Sequence, residues 1–295
     1  MKRLALVLAV AGCTPTAVYE PAPPQPAQPE PDKPAPSPPA PVAAKLPADM
    51  VAKLEHHAIC APKSCASDRL YPPATQPEPQ SPAAMWSQVI ESGAKLRISP
   101  SARADLYGVV ISGSVSVESD KTIELAAWRA FHAPNAGVTL SGNGSLVMAL
   151  ATDGEPVRKA IAGREPVKVT PGAVEVVDLD AQIELRWAKG KARARLGFES
   201  GRASFGLLMS DADAPVPEHD HPKSWEVIAL LRADGRFKRG DKPGEGEEVT
   251  AGRVVAVPIA VRHAWAPSGK QELFAVQMYL PPGPEQRFKE MAAKE

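Results

Sequence analysis

Residues 217–267 bring together side chains that can hold a metal ion. His219 and His221 stand at i and i+2. On a strand such positions share a face, so both imidazoles reach the same space. Glu226 follows five residues after His221, at the start of an apolar run, and His263 comes after a further apolar run. Three neutral imidazoles and one carboxylate suit one first-row divalent ion and leave positions open for water or a ligand. Fe, Mn, Zn, Ni and Cu all accept this donor set, and spacing does not choose among them. No catalytic residue is named by the pattern.

The neighbours of this set read as support. Alternation points Trp225 away from Glu226, into a strand-packing layer, and Arg262 away from His263. Trp265, at i+2 from His263, shares its face. Lys223 lies between His221 and Glu226. Asp211, Asp213 and Glu218 read as solvated loop charges, and His132 as a surface or strand histidine. Gly142-Asn143-Gly144 is a turn rather than a nucleotide fingerprint, and no Gly-x-Ser-x-Gly elbow stands out.

Ligands on separate strands converge only where a sheet is closed or strongly curved, as in a small barrel mouth. The rest of the chain supplies such a sheet. Runs rich in β-branched residues, broken by Gly, Asp, Asn and Pro, predict strands near 95–99, 108–118, 122–131 and 138–150. Others follow near 174–179, 182–187, 192–198, 205–210, 225–232, 254–258 and 273–280. Short helices are expected at 49–60, 84–92 and 284–294. Strands without intervening helices mean a sandwich or barrel. The stretch from Tyr107 is similar to that from Trp225, and Phe131-His-Ala-Pro134 to Val255-Ala-Val-Pro258, which suggests a duplicated unit of barrel size.

The motif residues resemble the cupin superfamily, double-stranded β-helix jelly rolls. Its first motif is matched by His219-Asp220-His221, four residues, Glu226, then eight residues to Gly235. Its second is matched by Gly252, five residues, Pro258-Ile-Ala260-Val-Arg-His263, then Pro267. Ala260 stands where the family has glycine and Pro267 where it has asparagine. A leading glycine is missing, and the gap before Gly235 is longer. The resemblance implies metal ligands His219, His221, Glu226 and His263. Setting Pro134 on Pro258 puts Thr139 where His263 sits, so the first half resembles a metal-free barrel. The expected fold is all-β: two tandem jelly-roll barrels, 83–165 and 166–295, with few short helices, behind a disordered Pro-rich tether. Cupins with this ligand set include dioxygenases, oxalate-degrading enzymes and isomerases, and others only bind, so enzyme, binding protein and structural scaffold all stay open.

Residues 1–13, MKRLALVLAVAGC, carry two basic residues and an apolar run too short for a ~30 Å hydrocarbon layer. Val10-Ala11-Gly12-Cys13 resembles the lipobox of bacterial lipoproteins, which implies lipid modification of Cys13 and anchoring by several acyl chains. Thr14 stands where that family has an aspartate for inner-membrane retention, so the resemblance implies the outer membrane, facing the periplasm. Thr14 to Ala48 carry 13 prolines in 35 residues, a run that favours extended conformations and suits a tether. A helical, cysteine-containing segment is expected at 49–82. With Cys13 committed to lipid in an oxidising compartment, Cys60 and Cys65 are expected to form a disulfide. A metal site with His56 and His57 is the alternative.

The 295 residues hold 34 basic and 34 acidic side chains, so nothing favours a nucleic-acid partner. Apolar residues at 44% allow a real core, and three cysteines are too few for a disulfide-built scaffold. Expected partners are membrane lipid through Cys13, an unidentified small molecule, and a second copy of the chain as a homo-oligomer.

Overall fold

Alternation of small and branched apolar residues builds two large sheets, each buried on both faces. The computed structural model describes residues 44–63, 80–98, 104–135, 137–157, 173–240 and 246–295. Cys13, residues 14–43 of the tether expected at 14–48, and Cys65 lie outside them. The end of that stretch, 44–48, is not a free tether, because Leu46 is buried and its N–H bonds Asp180 at 2.8 Å. Cys60 is disulfide-bonded.

The first half contains β1 (His57–Cys60), β2 (Ala83–Ile90), β3 (Lys95–Ile98), β4 (Ala104–Glu118), β5 (Thr122–Ala126), β6 (Arg129–Ala133), β7 (Val138–Thr152) and β8 (Glu175–Asp178). The second contains β9 (Leu185–Trp187), β10 (Ala192–Glu199), β11 (Ser204–Ser210), β12 (Val216–His219), β13 (Trp225–Arg232) and β14 (Asp234–Arg239). It continues with β15 (Glu247–Thr250), β16 (Val254–Val257), β17 (His263–Pro267), β18 (Leu273–Leu280) and α1 (Glu285–Ala292).

The two halves repeat in their pairing. The first sheet runs β2-β7-β4-β6 and the second β11-β18-β13-β16. β5 and β3 pair with β4 and β7 as β15 and β12 pair with β14 and β17. Long β4 and β7 thus do in one piece what β13–β14 and β17–β18 do in two. The register refines the sequence match. Leu106 faces Ala133, just before Pro134, as Glu226 faces Val257, just before Pro258. Leu106, not Gly108, is therefore the counterpart of Glu226. The match read from sequence is two residues out, a shift that preserves the face.

Each half has its own interior. Leu106, Val110, Phe131, Leu140, Leu146, Met148 and Leu150 fill the first, and Ile228, Leu230, Phe237, Val255, Trp265 and Tyr279 line the second. The opposite faces of the large sheets pack together. Tyr107, Val109, Ile111 and Val147 meet Phe205, Leu207, Val227, Ala229 and Val276 in one apolar cluster. At one end of this seam Arg202, in the β10–β11 turn, is paired with Asp105 of β4.

Two expected helices are strands. Residues 83–90 form β2, whose Ala83 and Met85 face the seam while Ala84, Trp86 and Ile90 face the first interior. A strand buried on both sides reads as an unbroken apolar run, which periodicity cannot distinguish from a helix. The segment 49–60 is extended and ends in β1. Met50, Ala52 and Leu54 are buried while Val51 is 70% exposed, a period of two. This strap lies in the seam, where Trp128 donates to the carbonyl of Pro47 and Val254 N–H to Glu55 Oε1, both 2.9 Å. Polar strands β12, β14, β15 and β17 lacked an apolar signal. β8, expected in the second barrel, pairs with β6 of the first. The last helix forms as expected.

Candidate metal centre

Four segments deliver the predicted ligands. His219 ends β12, His221 lies in the following loop, Glu226 opens β13 and His263 opens β17. His219 and His263 are paired across β12 and β17. One donor atom from each of the four residues lies within 4.8 Å of the others. Ring centroids of His219 and His263 are 4.2 Å apart, and each is about 5 Å from that of His221, at 5.0 and 5.1 Å. His221, Glu226 and His263 are buried, while His219 is the most exposed of the set.

The donor atoms fit a cation. His219 Nδ1 lies 2.8 Å from the carbonyl of Pro217 and His263 Nδ1 3.0 Å from that of Val261. A carbonyl only accepts, so each Nδ1 carries the proton and each neutral ring turns a bare Nε2 inward. Glu226 Oε2 is 2.8 Å from His263 Nε2 and 3.4 Å from His221 Nε2. None of these three buried atoms has a hydrogen-bond partner. Converging lone pairs repel one another unless a proton or a metal ion lies between them. Donors about 2.1 Å from a shared ion sit about 3 Å apart, the spacing seen here. The cluster can hold a single divalent metal ion.

In the metal-free protein a proton takes the cation's place between these groups. Burial alone would raise the Glu226 carboxyl, but the imidazoles of His221 and His263 beside it hold it well below the usual range. Burial lowers His263, but hydrogen bonding to Glu226, that carboxylate's charge and the Val261 carbonyl together raise it. His219 is lowered, first by burial and then by neighbouring His263.

The supporting residues fall as alternation requires. Trp225 packs into the seam, and Arg262 turns out to pair with Glu218 at 2.7 Å. Trp265 lies in the barrel interior, its ring across Gly235, where a Cβ would come within 2.7 Å of it. Asp211 and Asp213 pair with Arg193 and Lys191 at the surface. Ala260, where the motif has glycine, keeps the left-handed backbone with φ of 58°.

Of the two readings of His132 the strand one holds, in β6, and the surface one does not. The residue is 3% exposed, stacked on Tyr107 and 3.2 Å from both Asp105 and Glu175. His57 bonds Ser87 at 2.8 Å, and among the described residues no metal-type group forms at His56, His57 and Cys60.

Two residues at the site escaped the sequence reading. Gln277 Nε2 donates to Glu226 Oε1 and, at 2.8 Å, to the Tyr279 hydroxyl. Burial, then the Glu226 charge, pushes the Tyr279 phenol well above its ordinary value, so it stays protonated. Their signal was faint: a lone Gln in the apolar strand LFAVQMYL.

No protein-family model and no curated protein matches the sequence. Among solved structures the fold is similar to Bacillus subtilis oxalate decarboxylase, a bicupin. A tryptophan-to-tyrosine variant of that enzyme matches at 14% identity and a TM-score of 0.52, covering 67% of this chain and 68% of that one. A structure on the substrate binding mode and reaction specificity switch of oxalate decarboxylase matches at 14% identity and 0.53, over 68% and 69%. One on the Mn(II) centres of the B. subtilis enzyme matches at 15% and 0.52, over 67% and 68%. The likeness is one of fold, and it is the double-barrel cupin fold expected from the motifs.

Proposed function

We propose that this chain is an envelope-tethered metalloprotein. Its second barrel holds one divalent transition metal at His219, His221, Glu226 and His263 and takes a small oxygen-bearing molecule at the positions left open. The observation that carries this is the trio of buried atoms His221 Nε2, His263 Nε2 and Glu226 Oε2, without a hydrogen-bond partner, converging inside the second barrel. Such atoms cost roughly 1–3 kcal/mol each when left unpaired, so a fold retains them where something binds. Four protein donors leave room in the coordination sphere of an octahedral ion. When bound, the ion supplies a Lewis acid that polarises a carbonyl or carboxylate oxygen.

The chain's own residues do the rest. The Pro217 and Val261 carbonyls fix the imidazole tautomers, and the apolar wall of Ile228, Phe237 and Val255 excludes water. Tyr279, kept protonated by burial, can donate a hydrogen bond but not act as a base. The likeness to a manganese decarboxylase supports manganese and a small carboxylate as the first pair to test. Decarboxylation, oxygenation and isomerisation are the reaction types such a centre serves. Oxalate and related acids would be incubated with the Mn(II)-loaded protein and followed by NMR and carbon dioxide release. Turnover by wild type but not by His263→Ala supports the enzyme. Ligand binding without turnover leaves a binding protein.

The location belongs to the same reading. It is supported by Val10-Ala11-Gly12-Cys13 and the Pro-rich run after it. No described helix is long and apolar enough to cross a membrane. Cys13→Ser should release the protein from the membrane fraction or leave it unprocessed; normal processing and an unchanged membrane fraction would count against the anchor.

A further inference from the structure

The two halves differ at three interior positions as a unit. Glu226 pairs across strands with Tyr279, and Leu106 pairs with Leu150. Two residues before these partners, on the same inward face, stand Gln277 and Met148. The second barrel thus has Glu226, Gln277 and Tyr279 where the first has Leu106, Met148 and Leu150. All six side chains are buried, at 5% exposure or less. A polar trio on one side and an apolar trio on the other imply that Gln277 and Tyr279 serve whatever Glu226 serves.

The hydrogen bonds say how. A carboxylate only accepts, so the Gln277 amide nitrogen faces Glu226 Oε1. The second amide hydrogen goes to the Tyr279 oxygen at 2.8 Å, leaving the phenol hydrogen free to donate. Glu226 Oε1 is therefore engaged, while Oε2 is unpartnered and faces His221 and His263. We propose that Gln277 is the positioning residue that makes Glu226 a one-oxygen ligand, presenting Oε2 to the metal and keeping a coordination position from being filled by Oε1. This rests on the metal reading of the second barrel. It adds that the number of open positions is set by an amide on β18, a strand that carries no ligand. Tyr279 in turn holds the amide plane through its oxygen, and its ring packs edge-on to His221 at 5.0 Å.

The test uses the purified full chain, Mn(II), and the variants Gln277→Met and His221→Ala. Methionine occupies the equivalent site of the first barrel, so the shape is one this fold accommodates. The infrared difference between Mn(II)-loaded and metal-free wild type should show the wide carboxylate splitting of one-oxygen coordination. In Gln277→Met the splitting should narrow as Oε1 swings in, and Mn(II) affinity should change by roughly 10–100-fold. A purely structural role would lower the melting temperature but leave the splitting where it was. Narrow splitting in wild type overturns the proposal even if Gln277→Met fails to fold. So does a Gln277→Met protein with wild-type splitting and affinity, provided that wild type binds Mn(II) and His221→Ala does not. If wild type binds no Mn(II), the metal reading itself fails and this inference with it.

Discussion

Ala260 donates its N–H to the carbonyl of His221 at 2.9 Å while holding φ at 58°. The bond ties the β16–β17 turn to the loop that carries the second imidazole. It therefore helps fix His221 relative to His263, three residues beyond Ala260. An alanine Cβ is strained in this region of backbone space, by roughly 1–2 kcal/mol.

Ala260→Gly should relieve that strain. Part of the gain is offset by the freer unfolded chain, so net stability should rise by roughly 0.5–1 kcal/mol. Thermal melts of the metal-free protein check this, and an unchanged or lower midpoint would show that the turn is not strained.

Metal affinity should fall on acidification, because a protonated imidazole cannot ligate. Glu226 raises His263 above its ordinary value of 6.5 in the metal-free protein. A raised pKa means the ring takes up its proton at higher pH, so protons compete with the metal already above pH 6.5. Burial lowers His219, whose competition begins later in an acid titration. Mn(II) titrations between pH 8 and 5.5 should show affinity dropping before pH 6.5 is reached. A flat profile down to pH 6 contradicts this.

Replacing Glu226, Gln277 and Tyr279 together by Leu, Met and Leu would give the second barrel the first barrel's trio. The variant should lose metal binding. Its metal-free form should be more stable than metal-free wild type by roughly 1–3 kcal/mol, since a buried charge cluster gives way to apolar packing. Denaturant melts with and without Mn(II) measure both effects. A metal-free variant weaker than metal-free wild type would show that the polar trio supports the fold rather than the ion.

Asp105 holds the seam between the barrels. It pairs with Arg202 from the other half and lies 3.2 Å from His132. Asp105→Ala leaves His132 with Glu175 and Arg202 with Asp153 at the seam, so it removes a buried charge-assisted bond to each rather than their last partner, and should cost about 2 kcal/mol. Lys238→Ala, which breaks the exposed pair with Glu218, should cost under about 1 kcal/mol. Neither should change metal content. Equal losses for the two variants would remove the distinction drawn between seam and surface.

The metal cluster was legible because its chemistry needs rare residue types at fixed spacing. His-x-His, Glu226 and His263 stand out against any β pattern, and alternation then placed Trp225, Arg262 and Trp265 correctly. What stayed hidden lacked such contrast. β2 is apolar on both faces and so has no period to read. The strap at 49–60 alternates, but exposed Val51 and Ile59 are apolar too and blur the pattern. β12 and β15 are largely polar. His132 is one histidine in an ordinary strand, and its burial comes from Tyr107, Asp105 and Glu175, all of them distant in sequence. Gln277 acquires meaning only from register, which sets it two residues from the partner of Glu226.

The most direct measurement is the metal content of purified full chain after loading and removal of free ion, by mass spectrometry of the elements. Wild type should carry one divalent ion per chain. His221→Ala and His263→Ala should carry almost none while remaining folded by circular dichroism, and His132→Ala should carry as much as wild type. A wild-type protein without stoichiometric metal, or a His132→Ala protein emptied as fully as His263→Ala, would contradict the account.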